Sequence, residues 1–335
     1  MAAGPIALNT ASAHGINLKV QHALPADSTF HTQFLVPWTQ KVEKDSGARL
    51  HFHLYPAMQM GGEPSKLFEQ VKSGDADIVW AGTDGAGFAS LEPFELPFMT
   101  SSTPGSSRAL WEYVRMSDVA HMELDGIRVL AIHQSDAPQF HLRDRQIESL
   151  ADLSRLKMGV ASRIGAKLLA ALGANAVEMP PAGMAGALSN GELDGVLLPW
   201  EAVPALKIDG SVKHHSEIDP KTARLYASVN VFAMNATAFK SLPDDLKKVI
   251  LANSSAETSA WLAKVFDDAA ANARKAAQER GDAINVLPKE ELVKWKASAQ
   301  AVIDEWMKDL DKRGGQGKEL IDSAREAIAE YDPIR

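Results

Sequence analysis

The chain has no cysteine among its 335 residues, which excludes disulfides, thiol nucleophiles and thiolate metal sites. No basic block offsets its net charge of −8, so neither nucleic acid nor an anionic membrane surface is an expected partner. No apolar run approaches the ~20 residues that cross a bilayer, and no direct insertion into a membrane is expected. A low-complexity linker is missing as well. So are the signatures of common enzymes: there is no H-E-x-x-H, no G-x-S-x-G and no P-loop. The glycine-rich Gly82-Thr83-Asp84-Gly85-Ala86-Gly87 does not match the dinucleotide fingerprint. His51 with His53, and His214 with His215, lack a third metal ligand. Asp75 and Asp77 stand at a turn between helix and strand, where acidic residues cap or face solvent. Neither catalysis nor a cofactor is expected.

What is present is a soluble composition, 45% hydrophobic and 23% charged, over a length that favours two domains. The chain says nearly the same phrase twice. Glu69-Gln70-Val71-Lys72-Ser73-Gly74-Asp75-Ala76-Asp77 leads into Ile78-Val79-Trp80-Ala81, and Gly186 through Asp194 leads into Gly195-Val196-Leu197-Leu198-Pro199. In each copy the glycine suits a helix C-terminus, and the apolar run that follows suits a buried parallel strand. Two such α/β modules, each delivering a strand end to a shared opening, predict a two-lobed protein with a cleft. The start, Ala2 through Ala13, closes on Ala11-Ser12-Ala13 and reads as the remnant of a trimmed secretory signal or as a disordered tail over residues 1–15.

Strands are expected at Leu18–His22, Leu50–Tyr55, Ile78–Ala81 and Val129–Ile132, with helices from Ser28 to Lys44 and from Glu63 to Ser73. A second module begins near Pro138, with strands at Lys157–Val160, Ala176–Met179 and Val196–Leu198. The β-branched run Leu225–Met234 reads as a strand crossing between lobes. After Pro243 the pattern is helical, and a helix from Asp244 to Arg280 would reach ~55 Å at 1.5 Å per residue, which requires a kink or a bridge across both lobes.

The order of the motifs resembles that of the solute-binding proteins of TRAP transporters, the DctP-like family. The matching stretches are His22-Ala23-Leu24-Pro25, Tyr55-Pro56 with Met60-Gly61-Gly62-Glu63, Glu69-Gln70-Val71 through Gly74, and Glu95-Leu96-Pro97-Phe98. Leu172-Gly173-Ala174, Met179-Pro180, Gly191 through Gly195, and Ser241-Leu242-Pro243 continue the series. Together they span residues 16 to 330. The resemblance implies an α/β, two-lobed periplasmic-binding-protein-like fold, with a ligand cleft between lobes and a long helix spanning both. One lobe would hold residues 16–136 and 228–262, the other 137–227 and 263–335. It further implies a periplasmic location, a small-molecule solute, and delivery of that solute to TRAP membrane permease subunits. The family's carboxylate-gripping arginine falls on Gly159, a second arginine of some members on Gln139, and an asparagine on Leu198. All three polar anchors are therefore changed.

Candidate ligand contacts lie just past the strands, where open α/β sheets hold ligands. The first lobe offers His22, Glu63, Trp80, Thr83 and Asp84. The second offers Gln139, Arg163, Trp200 and Glu201, and the crossing strand offers Asn230 and Phe232. Trp80 serves equally as core, Arg163 as a solvated residue at a helix start, and Glu63 or Asp84 as helix caps. An organic acid held by Arg163 and backbone N–H groups is slightly favoured. A small amine over Trp80 and Trp200 with Glu201 or Asp84, a neutral or aromatic solute on the same rings, and a stand-alone sensor role remain open.

Overall fold

The computed structural model describes residues 15–333. Except for Gly15, the leader-like segment lies outside those residues. The strands are β1 (Ile16–His22), β2 (Leu50–Tyr55), β3 (Ile78–Gly82), β4 (Ile127–Gln134), β5 (Gln139–Leu142), β6 (Lys157–Val160), β7 (Asn175–Glu178), β8 (Gly195–Leu198), β9 (His214–Glu217), β10 (Val229–Asn235) and β11 (Ala283–Val286). They form two sheets, ordered β2-β1-β3-β10-β4 and β11-β9-β5-β8-β6-β7. β1 pairs in parallel with β2 and β3, as helical crossovers require, and β6 does so with β7 and β8. β10 enters the first sheet antiparallel to both neighbours. Both its faces are buried, with Val229, Val231 and Ala233 in one core and Phe232 and Met234 in another. That double burial is why the sequence there reads as a continuous apolar run. The strand starts at Val229 rather than Leu225, and residues 225–228 belong to the connection between the lobes.

The repeated phrase folds the same way twice. Gly74 ends the helix Leu67–Ser73 in the left-handed conformation at φ 86°, and Gly191 follows the helix Pro181–Ser189 at φ 74°. The aspartate three residues beyond each glycine then bonds to the backbone of the neighbouring strand. Asp77 accepts from the Lys19 N–H at 2.8 Å and donates its own N–H to the Lys19 carbonyl. Asp194 does the same with Lys157, accepting at 2.7 Å. These carboxylates are structural staples, so the solvated or capping use read for Asp77 gives way to a bond with the neighbouring strand.

The expected helix from Asp244 to Arg280 is broken into Asp244–Ala252 and Ala256–Glu279. At the break the Trp38 indole donates to the Asn253 carbonyl, and the Ser255 hydroxyl caps the new helix at the Thr258 N–H. The second piece is the bridge: Leu262 and Phe266 pack in the first lobe, and Ala270, Ala273 and Ala277 in the second. The first helix also differs. It opens with wide turns over Phe30–Leu35 before regular turns from Val36 to Asp45, next to Pro37, which has no N–H to give. β5, β9 and β11 are only four residues long, too short for their periodicity to stand out in the sequence. β11 falls between the helices expected to end at Arg280 and to begin at Glu290.

Candidate functional site

The C-terminal ends of β1 and β3 face those of β6 and β8 across the gap between lobes. The backbone fixes this juxtaposition: the Arg163 N–H, one turn past β6, donates to Asp84 Oδ2, just past β3, at 3.1 Å. Asp84 and Arg163 are thus brought together, though by each other. The Arg163 guanidinium also donates to Glu92 of the first lobe at 2.6 Å. Glu92 in turn accepts from the Trp306 indole. Arg163 is therefore spent on an interlobe latch, and a ligand would have to displace Glu92 to claim it.

On the first-lobe wall, His22 ends β1 beside Trp80 of β3. The Trp80 ring stacks on Phe30 at 4.5 Å between centroids, with His133 and Phe266 beyond at 6.0 Å. Its indole donates to His133 Nε2 at 3.1 Å, while His133 Nδ1 donates to the Gln134 carbonyl. That wiring holds His133 neutral, and burial pushes it down to about 4. His22 is fully buried, 2.9 Å from His31, and burial with the neighbouring imidazole pushes it down to about 4. Asn230, half-buried, lies over Gly82, where an added Cβ would meet its Oδ1 at 3.4 Å. Thr83 is turned inward to the Val229 carbonyl at 3.1 Å and to Glu95 at 3.3 Å.

On the second-lobe wall, Trp200 is buried edge-on to His141. Its indole donates to Glu217 at 2.7 Å, and Glu217 takes both arms of Arg274 from the long helix at 2.7 and 2.8 Å. His141 Nε2 donates to the Leu198 carbonyl, which can only accept. His141 Nδ1 must then accept from His215 Nδ1 at 2.8 Å. Gln139 is held by the Ile218 N–H at 2.9 Å and by its own contact with the Ala137 carbonyl. Gly159, where the resemblance would put an arginine, leaves no room for a side chain. A Cβ on Gly159 would meet Leu193 Cδ1 at 2.7 Å and Val196 Cγ1 at 3.1 Å.

Between the walls, near the crossings that join the lobes, three carboxyls converge. Burial pushes Glu201 up to about 8 and Asp136 up to about 7, each reinforced by a neighbouring carboxyl, Asp136 for Glu201 and Asp267 for Asp136. Burial also raises Asp267, against a hydrogen bond from Thr103 and the charge of Arg224. Arg224 is buried and donates only to neutral acceptors, among them Thr100, Thr103 and Ser106.

Two expected residues lie away from this gap. Phe232 is fully buried, edge-on to Phe34 and Trp38, because its face of β10 looks into the core; it supports the wall without lining it. Glu63 is exposed before the short turn Pro64–Lys66 and caps nothing with its side chain. Asp136, His133, His141, Glu217, Arg274 and Arg224 were missed. They come from five separate segments and share no motif, so only folding collects them. Two grooves, of about 550 and 840 Å³, lie elsewhere, against the helices Lys289–Lys312 and Gly317–Tyr331, and include none of the strand-end residues. No cluster of three or more metal-ligating side chains occurs among the described residues.

Comparison with known proteins places this geometry. The model of the family DctP, bacterial extracellular solute-binding protein family 7, matches residues 20–309. A TRAP solute-binding protein of Rhodoferax ferrireducens T118, solved with copurified benzoate, is 38% identical with a TM-score of 0.88; the match covers 94% of this chain and 98% of that one. A marine metagenome TRAP solute-binding protein specific for aromatic acid ligands, solved with 3-hydroxybenzoate, is 35% identical with a TM-score of 0.89, covering 95% and 99%. A curated relative, the outer membrane transporter protein TsaT of Comamonas testosteroni, is 23% identical over 96% of this chain and 95% of its own length.

Proposed function

The chain belongs to the DctP family of bacterial extracellular solute-binding proteins, and from that premise we propose that it captures a small aromatic carboxylate by closing the interlobe cleft and hands it to a TRAP permease from the periplasm. Members of this family bind and carry solutes; catalysis is not their role. The observation that carries the reading is the exchange of polar anchors for apolar ones at the strand ends. Gly159 with Leu193 occupies the arginine position, Leu198 the asparagine position, and the half-buried Trp80 of β3 and the buried Trp200 just past β8 add aromatic bulk behind the strand ends. Such walls favour a flat ring over a polyhydroxylated or dicarboxylic chain. Relatives of 35% and 38% identity hold 3-hydroxybenzoate and benzoate, which supports the same class here.

Closure follows from differential contact. Solute bridging the walls favours the state in which Arg163 reaches Asp84 and Glu92, and the crossings at residues 135–138 and 218–228, with the long helix, act as the hinge. The three carboxyls favour a second reading, a small amine held by charge. Their burial argues against it, since it raises all three and disfavours the ionised form that an amine would need. Isothermal titration with benzoate, 3-hydroxybenzoate and benzylamine decides between them. Benzoate-class binding with compaction in small-angle scattering supports the proposal, whereas binding of benzylamine alone overturns it. Uptake of labelled benzoate by vesicles carrying the cognate permease, dependent on this protein, tests delivery.

A further inference from the structure

Glu201 Oε2 is sealed from solvent and has no hydrogen-bond partner, the only carboxyl oxygen in that position among the described residues. The carboxyl does not cap the helix that follows, since the Ala202 N–H donates instead to the Pro199 carbonyl. The groups facing it are acids as well. Asp136 looks at it from the β4–β5 crossing and Asp267 from the long helix, with Arg224 standing beyond both. Among the described residues no cationic side chain pairs with Glu201, the nearby Arg163 and Arg274 being taken by Glu92 and Glu217. An ionised Glu201 would bury an acceptor with nothing to accept from, beside two further acids. A protonated Glu201 carries an O–H donor with nothing to give it to, one residue beyond Trp200 and just past the end of β8. What is missing in either form is a partner, and only the protonated form tolerates its neighbours.

Resting on the aromatic-carboxylate reading above, we propose that protonated Glu201 donates its Oε2–H to the carboxylate of the bound solute, replacing the arginine for which Gly159 leaves no room. The solute enters ionised and Glu201 keeps its proton, so the contact is a charge-assisted O–H···O⁻ bond with no proton released. Recognition then turns on an acceptor in the ligand. A carboxylate supplies one, an ammonium group does not, and the buried acids need not ionise when the cleft closes. When Glu201 is ionised, as at pH well above 8, binding must first take up one proton.

The test is the dissociation constant of benzoate from pH 6 to 9.5 by titration calorimetry, for the wild type and three variants. The wild type is expected to be flat below about pH 7 and to weaken tenfold per pH unit once Glu201 ionises. Glu201→Ala should lose about 100-fold at pH 7. Glu201→Gln keeps a donor that cannot ionise; it should recover most of that loss and show no weakening above pH 8. Asp136→Asn should keep the weakening, which assigns the proton to Glu201 and not to its neighbour. A wild-type profile flat to pH 9.5 overturns the proposal without recourse to any variant. So does Glu201→Gln binding as poorly as Glu201→Ala, or Asp136→Asn abolishing the pH dependence. If instead no aromatic acid binds at any pH and benzylamine does, the solute class itself has failed.

Discussion

Restoring the family's arginine should damage this protein without repairing the family's specificity. The first atom of any side chain at residue 159 meets Leu193 Cδ1 at 2.7 Å and Val196 Cγ1 at 3.1 Å. Leu193 and Val196 are themselves buried, so neither can swing into open space. Overpacking of that kind costs about 1–3 kcal/mol, and a buried guanidinium with no carboxylate partner adds several more before relaxation. A net loss of about 3 kcal/mol corresponds to a fall in Tm on the order of 5–10 °C. The assay is a thermal melt of Gly159→Arg, Gly159→Ala and the double variant Gly159→Arg with Leu193→Ala. Gly159→Ala should lose about 1–2 kcal/mol, and the double variant should regain part of the loss by opening space. If Gly159→Arg melts with the wild type and binds a C4-dicarboxylate such as succinate, the claim that Leu193 has occupied the anchor's place is wrong.

Arg163→Ala removes a partly exposed interlobe pair, so it should change stability by only about 0–1 kcal/mol. Benzoate affinity should fall several-fold in titration calorimetry because the closed state loses its latch; unchanged affinity would remove Arg163 from the closure account. Phe232→Ala should cost about 3–5 kcal/mol in chemical denaturation, since the ring is fully buried against Phe34 and Trp38. Stability should also depend on pH in two opposing ways. His22, His133, His141 and His215 are held by burial at about 4, 4, 3 and 4. Their contribution is complete above the unfolded value of about 6.5 and lost as pH falls towards 4. Glu201 and Asp136 are raised, so theirs is complete below the unfolded carboxyl range and lost as pH climbs through about 7 and 8. From about pH 7.5 to 8.5 the unfolded histidines are already largely neutral and the acids dominate, so Tm should fall by an amount equivalent to ~0.5–1 kcal/mol in all. A Tm that rises over that interval would contradict the burial of both.

The α/β character, the two modules and the long bridging helix were legible in the sequence because each rests on local signals. Gly74 and Gly191 mark helix ends through backbone freedom that only glycine has, and the apolar runs after Asp77 and Asp194 declare strands buried on both faces. Motif order along the chain carried the family. The helix break at residues 253–255 was not legible, because it is fixed from outside by the Trp38 indole, 215 residues away along the chain. Nor were β5, β9 and β11, which are short and defined by their partners.

The site shows the same division. The sequence alone determined which side chains stand just past the strand ends, since strand periodicity and the Gly-to-strand spacing are local. It also determined that the arginine position is glycine. Only the tertiary structure decided what those side chains do. It turned Phe232 into core and bound Arg163 to Asp84 and Glu92. It tied Trp200 to Glu217, and it set Glu201 against Asp136 and Asp267. Charge state, burial and partner choice depend on groups brought together from distant segments across two sheets and a bridging helix, and no spacing along a chain encodes the dielectric in which a carboxyl will sit.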